Sequence, residues 1–428
     1  MKNNQKIFVG IGSGAIQLGL WAYQANLAGM KIILCDVDPE RINQIRKNKN
    51  CYHINIAHFD RIVSVKIGPV EIYNISIPEE RNRVIGYIGK ANDIVTAVPS
   101  TSIYEKGISD LLKEGLLLRN KNSPVIVYAS ENQIRAARTL EKLVFPSGGT
   151  PPFVQFCDTV IARMGGVQSD MKLIKKLELQ PMTSGDKEAM LVEDFDKIIV
   201  EKEYLSRKYS FETEFSRFHS TDDIGLYEEN KLFGHNAVHS LLGFIGKLKG
   251  YTFMSQYNGD SDFGYIGVDA LREETGRWSK MKYKSSKEEI VTENGYESWV
   301  VQLCSRIVNP FLFDLVDRII RDPERKLGWD DRLISIMRNS FSVGVVPKRY
   351  ALGVASALLY QKNLTKQKAL AILENLWVKS DKQKGKIIKL VGDAFEIVQG
   401  WKTSPYKSLW QYIGVRSQHS TKQSNDYA

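Results

Sequence analysis

Cysteine is scarce and long apolar runs are absent, and each scarcity removes a class of protein. Cys35, Cys51, Cys157 and Cys304 stand far apart in 428 residues, and no CxxC pair occurs. Neither a zinc ribbon nor a redox dithiol is therefore indicated. Cys35 lies inside an apolar run and reads as a buried thiol. No apolar run reaches the ~18 residues that suggest a membrane-spanning helix. Lys2 and Lys6 precede an apolar stretch from Ile7 to Trp21, as in a signal peptide, but Gly10, Gly12, Gly14, Gln17 and Gly19 interrupt it. The chain beyond that stretch continues as strand, helix and strand, so a mature cytoplasmic protein with no membrane partner is expected.

The chain is long enough for more than one core, and its 43% apolar and 25% charged content is ordinary for a globular protein. A formal net charge of +10 favours acidic partners. Basic residues alternate with acidic ones, as in Lys187-Glu188 and Lys287-Glu288-Glu289. Such alternation marks a solvated face and speaks against nucleic acid, leaving a phosphorylated or carboxylated small substrate and a pyrophosphate cofactor. No internal repeat is visible. A monomer or small homo-oligomer is expected.

The first half alternates strand and helix. Lys6 to Ile11 reads as a strand ending in glycines. Ala15 to Ala28 reads as a helix with Ile16, Leu20, Tyr23 and Leu27 on one face and Gly29 as C-cap. The near-continuously apolar Lys31 to Asp36 suits a parallel strand buried on both faces. A helix follows from Pro39 to Lys47. Asp93 to Val98 and Val125 to Ala129 are further strands, with helical Ile108 to Leu118 between them. The fold class is α/β: a doubly wound, Rossmann-type sheet whose strand C-termini form the ligand edge. After a mixed strand segment (153–166 and 171–200), helical periodicity dominates from Asp223 to about Gly400. The expected domains are residues 1–205, binding the dinucleotide, and 206–428, mostly helical. Ser417 to Ala428 is polar and expected to fray.

Two glycine registers overlap in the first loop. Gly10-x-Gly12-x-x-Ala gives one; Gly12-x-Gly14 with Gln17 in the third-glycine position gives the other. Glycines there allow a tight turn and bring backbone amides to a pyrophosphate at a helix N-terminus. Gly12, Ser13, Gly14, Ala15 and Ile16 are the phosphate-side candidates. Asp36, 24 positions after Gly12, would accept the ribose hydroxyls and repel a 2′-phosphate, which favours NAD over NADP. The plainer alternative is a tight turn with Asp36 capping the helix that begins near Pro39. Thr96, Ala97 and Val98 would lie under the cofactor. Asn132, past the next strand, could bond a substrate oxygen or the nicotinamide; equally, Glu131 and Asn132 could simply start the helix Gln133 to Leu143.

In the second half, Lys231, Asn236 and His239 lie on one helical stretch, with Asn236 about 140° and His239 about 80° round from Lys231. A lysine with a lowered pKa can act as base in alcohol oxidation and acid in carbonyl reduction. Asn236 and Asn132 would hold a developing oxyanion, and His239 would orient hydroxyls. Taken alone, the trio could equally decorate an amphipathic helix. His235 and His239 have metal spacing, but Asn236 stands where a zinc protease needs its glutamate and no third ligand is evident, so no metal is assigned.

These segments together resemble the polyol-specific long-chain dehydrogenases, the mannitol dehydrogenase family. The glycine loop, Cys35-Asp36-Val37, Thr96-Ala97-Val98 and Ser130-Glu131-Asn132 are similar to its N-terminal domain, and Lys231-x4-Asn236-x2-His239 matches its catalytic motif. Arg306-Ile-Val-Asn309-Pro310 and the run from Arg321 through Arg332 resemble the mannitol-1-phosphate 5-dehydrogenases within it. The resemblance implies a Rossmann domain followed by a helical domain, NAD, no metal, a catalytic Lys231, and substrate contacts from Glu228, Arg325 and Arg332. It covers most of residues 6 to 360. Gln17 for a glycine, and Ala162 for the aspartate of an FPNxxxDR-like segment, depart from the pattern. The implied reaction is NAD-dependent oxidation of a sugar alcohol or its phosphate, with mannitol 1-phosphate and fructose 6-phosphate favoured. Reduction of tagaturonate or fructuronate is the alternative within the same chemistry, and a non-catalytic NAD sensor is the alternative outside it.

Overall fold

Apolar β-branched runs alternate with helices through the first half of the chain, and the computed structural model shows twelve strands among the described residues. These are β1 (Ile7–Ile11), β2 (Lys31–Asp36), β3 (Tyr52–Ala57), β4 (Ile62–Ile67), β5 (Val70–Asn74), β6 (Asp93–Thr96), β7 (Val125–Ala129), β8 (Val154–Ile161), β9 (Gly165–Gln168), β10 (Ala189–Glu193), β11 (Ile198–Glu201) and β12 (Phe218–Thr221). The described residues are 5–209, 211–360, 364–377, 382–403 and 408–412; the polar tail 417–428 lies outside them.

The main sheet has the order β12-β11-β8-β7-β6-β1-β2-β5. Its six strands from β8 to β5 pair in parallel, which is the doubly wound order with its switch point between β1 and β6. β11 joins antiparallel to β8, and β12 extends it in parallel. Every residue of β7 and β8 is buried, as the unbroken apolar character of β7 requires. A second sheet, β4-β3-β10-β9, was not visible in the sequence. Its members are short, and one pairing joins β3 to β10 across more than 130 residues.

The chain forms two compact units, Met1–Gly225 and Leu226–Ala428. β12 lies in the 206–225 stretch that the sequence pattern assigned to the second domain; it belongs to the first unit's sheet because it pairs with β11.

The first helix corrects one expectation. Leu27, expected on the buried face, is 60% exposed, whereas Leu18, Trp21, Ala22 and Ala25 are fully buried. The reason is a π turn at Gln17–Trp21 ahead of the α-helical Ala22–Leu27. Its i→i+5 bonding inserts an extra residue and rotates everything downstream. Gly29 ends the helix at φ +66°, as a C-cap glycine should.

In the second unit, the helix Asn236–Leu248 packs on Lys348–Tyr360, which in turn packs on Lys384–Lys402. Gly353 permits the first approach: a Cβ there would lie 3.0 Å from Leu241 Cα. Among the described residues no helix is long and apolar enough to cross a membrane.

Candidate active site

The cofactor candidates gather at the C-terminal edge of the main sheet. Gly12 follows β1 with φ +100°, and a Cβ there would stand 2.6 Å from Ala97 O. Glycine is therefore required on both backbone and steric grounds. Gly14 has open space around its Cα, and the helix begins at Ala15. Ala15 and Ile16 pack partly buried against the core. This backbone cradle at a helix N-terminus fits a pyrophosphate.

Asp36 ends β2. Its Oδ2 accepts from Ser13 Oγ at 2.6 Å, and its Oδ1 accepts from the backbone N of Val37 at 2.6 Å and of Asp38 at 3.1 Å. The helix Pro39–Lys47 is capped by Asp38, which accepts from the amides of Glu40 and Arg41. The alternative of Asp36 as helix cap is thereby overturned, and the Asp36 carboxylate is fixed facing the glycine loop through Ser13.

The departure at Gln17 is accommodated inside the fold. Its side chain is fully buried against Gly10, where an added Cβ would meet Gln17 Nε2 at 2.2 Å. Neither polar atom of the Gln17 amide has a hydrogen-bond partner. Beside the other departure, Ala162, Arg163 is buried, donating to Gly19 O and Glu193 O, each at 2.7 Å. It thereby ties the cofactor helix to the strand β10.

Glu131 does not start a helix; the next helix is Ala136–Val144. Instead Glu131 is buried and accepts from Thr96 Oγ1 at 3.1 Å, from Val98 N at 3.0 Å and from Tyr104 Oη. It thereby braces the Thr96-Ala97-Val98 segment. Burial raises its carboxyl above the usual range against these hydrogen bonds. The neighbouring Asn132 is exposed, within the first unit.

The second unit assembles the other candidates. The run from Ile224 to Leu248 is helical throughout, but Asn230–His235 is a π turn between two α segments. The uniform ~100° steps assumed from sequence therefore fail between Lys231 and Asn236. Lys231 lies in that turn and is partly buried. Its ammonium is pushed down to about 8, first by burial and then by the Arg332 guanidinium, with Glu228 opposing. Glu228 itself is buried one turn earlier.

Asn236 Nδ2 is buried without a hydrogen-bond partner, an open donor close in sequence to Lys231. His239 Nε2 lies 2.9 Å from Asp314 Oδ2, although off the line of a hydrogen bond. Asp314 Oδ1 also accepts from Arg318 Nε at 2.9 Å. Burial works against ionisation of Asp314, but His239 and Arg318 together hold its carboxyl below the usual range. His235 packs against His239 with ring centroids 5.7 Å apart. Burial, then Arg306, pushes its imidazole well below the usual histidine range, so it stays neutral. Among the described residues no cluster of three or more His, Cys, Asp or Glu is arranged to hold a metal ion.

Arg325 and Arg332 share one carboxylate. Asp331 Oδ2 takes Arg325 Nη1 at 3.1 Å and Oδ1 takes Arg332 Nε at 2.8 Å. Arg332 is nearly buried, with a side chain 12% exposed, whereas Arg325 is 54% exposed. Sequence reasoning passed over Asp314, and nothing in the spacing marks it.

The model of the mannitol dehydrogenase C-terminal domain matches residues 223–404. Mannitol-1-phosphate 5-dehydrogenase of Caldanaerobacter subterraneus subsp. tengcongensis is 26% identical over 357 residues, covering 82% of this chain and 85% of the relative. The enzyme of that name from an Exiguobacterium species is 28% identical over 356 residues, with the same coverage. Residues 223–404 thus match the family's C-terminal domain, and the chain is similar to these relatives over most of its length. Among solved structures, Pseudomonas fluorescens mannitol 2-dehydrogenase, a ternary complex with NAD and D-mannitol, superposes with TM-score 0.71 at 13% identity, covering 96% of this chain and 94% of that one. A substrate-free D-sorbitol dehydrogenase gives TM-score 0.69 at 14% identity, covering 96% and 98%. At such identities these two show that the chain shares their fold over nearly its whole length.

Proposed function

We propose that this protein is an NAD-dependent polyol dehydrogenase, acting without a metal on a sugar alcohol or its phosphate. The observation that carries the reading is Lys231, a lysine whose ammonium is lowered to about 8 within one π turn of the open Asn236 amide. A group titrating there exchanges protons near neutral pH, as general acid–base work needs. Gly12, Ser13, Gly14, Ala15 and Ile16 would hold the pyrophosphate, Asp36 the adenosine ribose, and Thr96, Ala97 and Val98 the floor beneath. Bound there, NAD supplies the hydride acceptor.

In oxidation, neutral Lys231 takes the hydroxyl proton as the carbinol carbon is oxidised. In reduction, protonated Lys231 returns it to the carbonyl oxygen. Asn236 donates to the oxygen as charge develops. His239, held beside Asp314, orients the neighbouring hydroxyls. Glu228 tunes Lys231, and Arg325 and Arg332 bind the far end of the substrate. The free, buried cysteines suit a cytoplasmic enzyme.

A substrate panel followed by NADH absorbance tests the reading. Turnover with a polyol or polyol phosphate is expected, mannitol 1-phosphate first. Turnover confined to tagaturonate or fructuronate would move the assignment to a hexuronate reductase. Binding of NADH with no turnover of any substrate would leave a sensor.

A further inference from the structure

The π turn that carries Lys231 is gripped by its backbone. Phe233 stands inside it, between Lys231 and Asn236 in the chain. Thr275 Oγ1 donates to Phe233 O at 3.3 Å. Tyr350 Oη lies 2.7 Å from Thr275 Oγ1 and 3.5 Å from the same carbonyl. Each hydroxyl has one proton to give. Tyr350 donating to Thr275, and Thr275 to Phe233 O, uses the shorter contacts and forms one directed chain. Both residues are fully buried.

The chain is anchored at its far end. Glu274 and Thr275 end a second π turn, Ala270–Thr275. The Glu274 carboxylate accepts from the backbone N of Arg349 at 2.8 Å and of Tyr350 at 3.1 Å, at the start of the helix Lys348–Tyr360. The Glu274 carbonyl accepts from Ser340 Oγ at 3.3 Å, on the helix Arg332–Ser342. Apolar contacts close the sides of the Lys231 turn: the Phe233 ring stands edge-on to Trp278, and a Cβ on Gly234 would meet the Trp299 ring at 2.6 Å. Packing alone would be served as well by valine and phenylalanine at positions 275 and 350. Buried hydroxyls cost free energy unless they are bonded, and these two spend their bonds on the Lys231 turn.

We propose that Thr275 and Tyr350 are positioning residues for Lys231: their hydroxyl chain pins Phe233 O and keeps the turn in its π form. The inference rests on the acid–base reading of Lys231 and adds what holds that lysine in place. A π turn bonds i→i+5 and changes register with the α-helix on either side, so its carbonyls draw on donors from outside the helix. Reversion to i→i+4 bonding would turn Asn236 relative to Lys231 by one residue's step, about 100°. The ammonium and the Asn236 amide would then no longer address one substrate oxygen.

The test uses the full chain with lysine labelled by carbon-13 at Cε, titrated by NMR, with K231R to identify the Lys231 signal. Turnover of mannitol 1-phosphate is measured alongside. T275V keeps the side-chain shape and removes the hydroxyl. Its Lys231 midpoint should rise from about 8 toward that of an ordinary lysine, as the ammonium leaves the burial and the Arg332 charge that lower it. Its kcat should fall roughly tenfold to a hundredfold, with KM for NAD and NADH affinity unchanged. T275S, which keeps the hydroxyl, should restore both the midpoint and kcat. Y350F should move both in the same direction as T275V, and takes its place if the valine variant does not fold. A Lys231 midpoint and kcat unchanged in these variants would overturn the proposal, as would a T275S variant no better than T275V. If wild type turns over no polyol, the functional reading fails, and the Lys231 midpoint in T275V still decides whether the hydroxyl chain positions the lysine.

Discussion

Arg332 lies close enough to Lys231 for its guanidinium to add to burial in lowering the lysine ammonium to about 8, while Glu228 pulls the other way. Only neutral Lys231 can take a proton, so kcat/KM for oxidation should rise with pH and level off above about 8. Reduction needs the protonated form and should fall over the same range. R332Q removes a neighbouring positive charge and should move the oxidation limb to higher pH. E228Q should move it lower. Because burial is the larger cause, neither variant should restore an ordinary lysine. Limbs that stay in place in both variants would disconnect these residues from Lys231.

Asp36, fixed by Ser13 and by its own following amides, should set the cofactor preference. D36A should lower the NAD-to-NADP ratio of kcat/KM by roughly tenfold or more, since it removes both an acceptor for the ribose and a repeller of 2′-phosphate. Steady-state kinetics with both cofactors measures the ratio. An unchanged ratio would place discrimination elsewhere.

Gly12 should tolerate no side chain. G12A forces a left-handed backbone on alanine and a contact with Ala97 O at 2.6 Å. A stability loss on the order of 1–3 kcal/mol from the backbone alone is expected, together with weaker NADH binding. Thermal unfolding and fluorescence titration of NADH read the two effects.

Asp314 should matter most above the carboxylate range. Its folded pKa is lowered, so its contribution is full above the ordinary value of 3.8 and is lost as pH falls through the lowered one. D314N should cost roughly 1–2 kcal/mol at pH 7, discounted because Arg318 is partly solvated, and the gap should close in acid. Denaturant melts at several pH values give the comparison. A gap that persists at low pH would mean that charge is not what the asparagine removes. Loss of kcat beyond the stability effect would mark Asp314 as positioning His239.

The parts legible in the sequence are those encoded locally. The β1–loop–helix–β2 unit, the cap at Gly29 and the helical second half follow from apolar period and glycine placement over a few residues each. The second sheet was not legible, because β10 completes it from far along the chain. The π turns at the cofactor helix and at Lys231 were missed for a related reason. Gln17–Trp21 and Asn230–His235 carry no composition that distinguishes them from α-helix, and each rotates the residues beyond it. Leu27 was therefore assigned to the wrong face. In the candidate site, polar residues at fixed spacing (Lys231, Asn236, His239) were readable. Their environment was not: Asp314 beside His239, and Arg332 acting on Lys231, are consequences of tertiary packing.

Turnover by K231A, measured alongside its NADH affinity, probes the proton-transfer role of Lys231 without an intermediary. Loss of a group of this kind costs about 10²–10⁴ in kcat. A fall in that range is expected, with loss of the pH limb near 8 in whatever activity remains and NADH binding equal to wild type. Turnover within a few-fold of wild type, with the limb still in place, would contradict the assignment of Lys231 as the acid–base group.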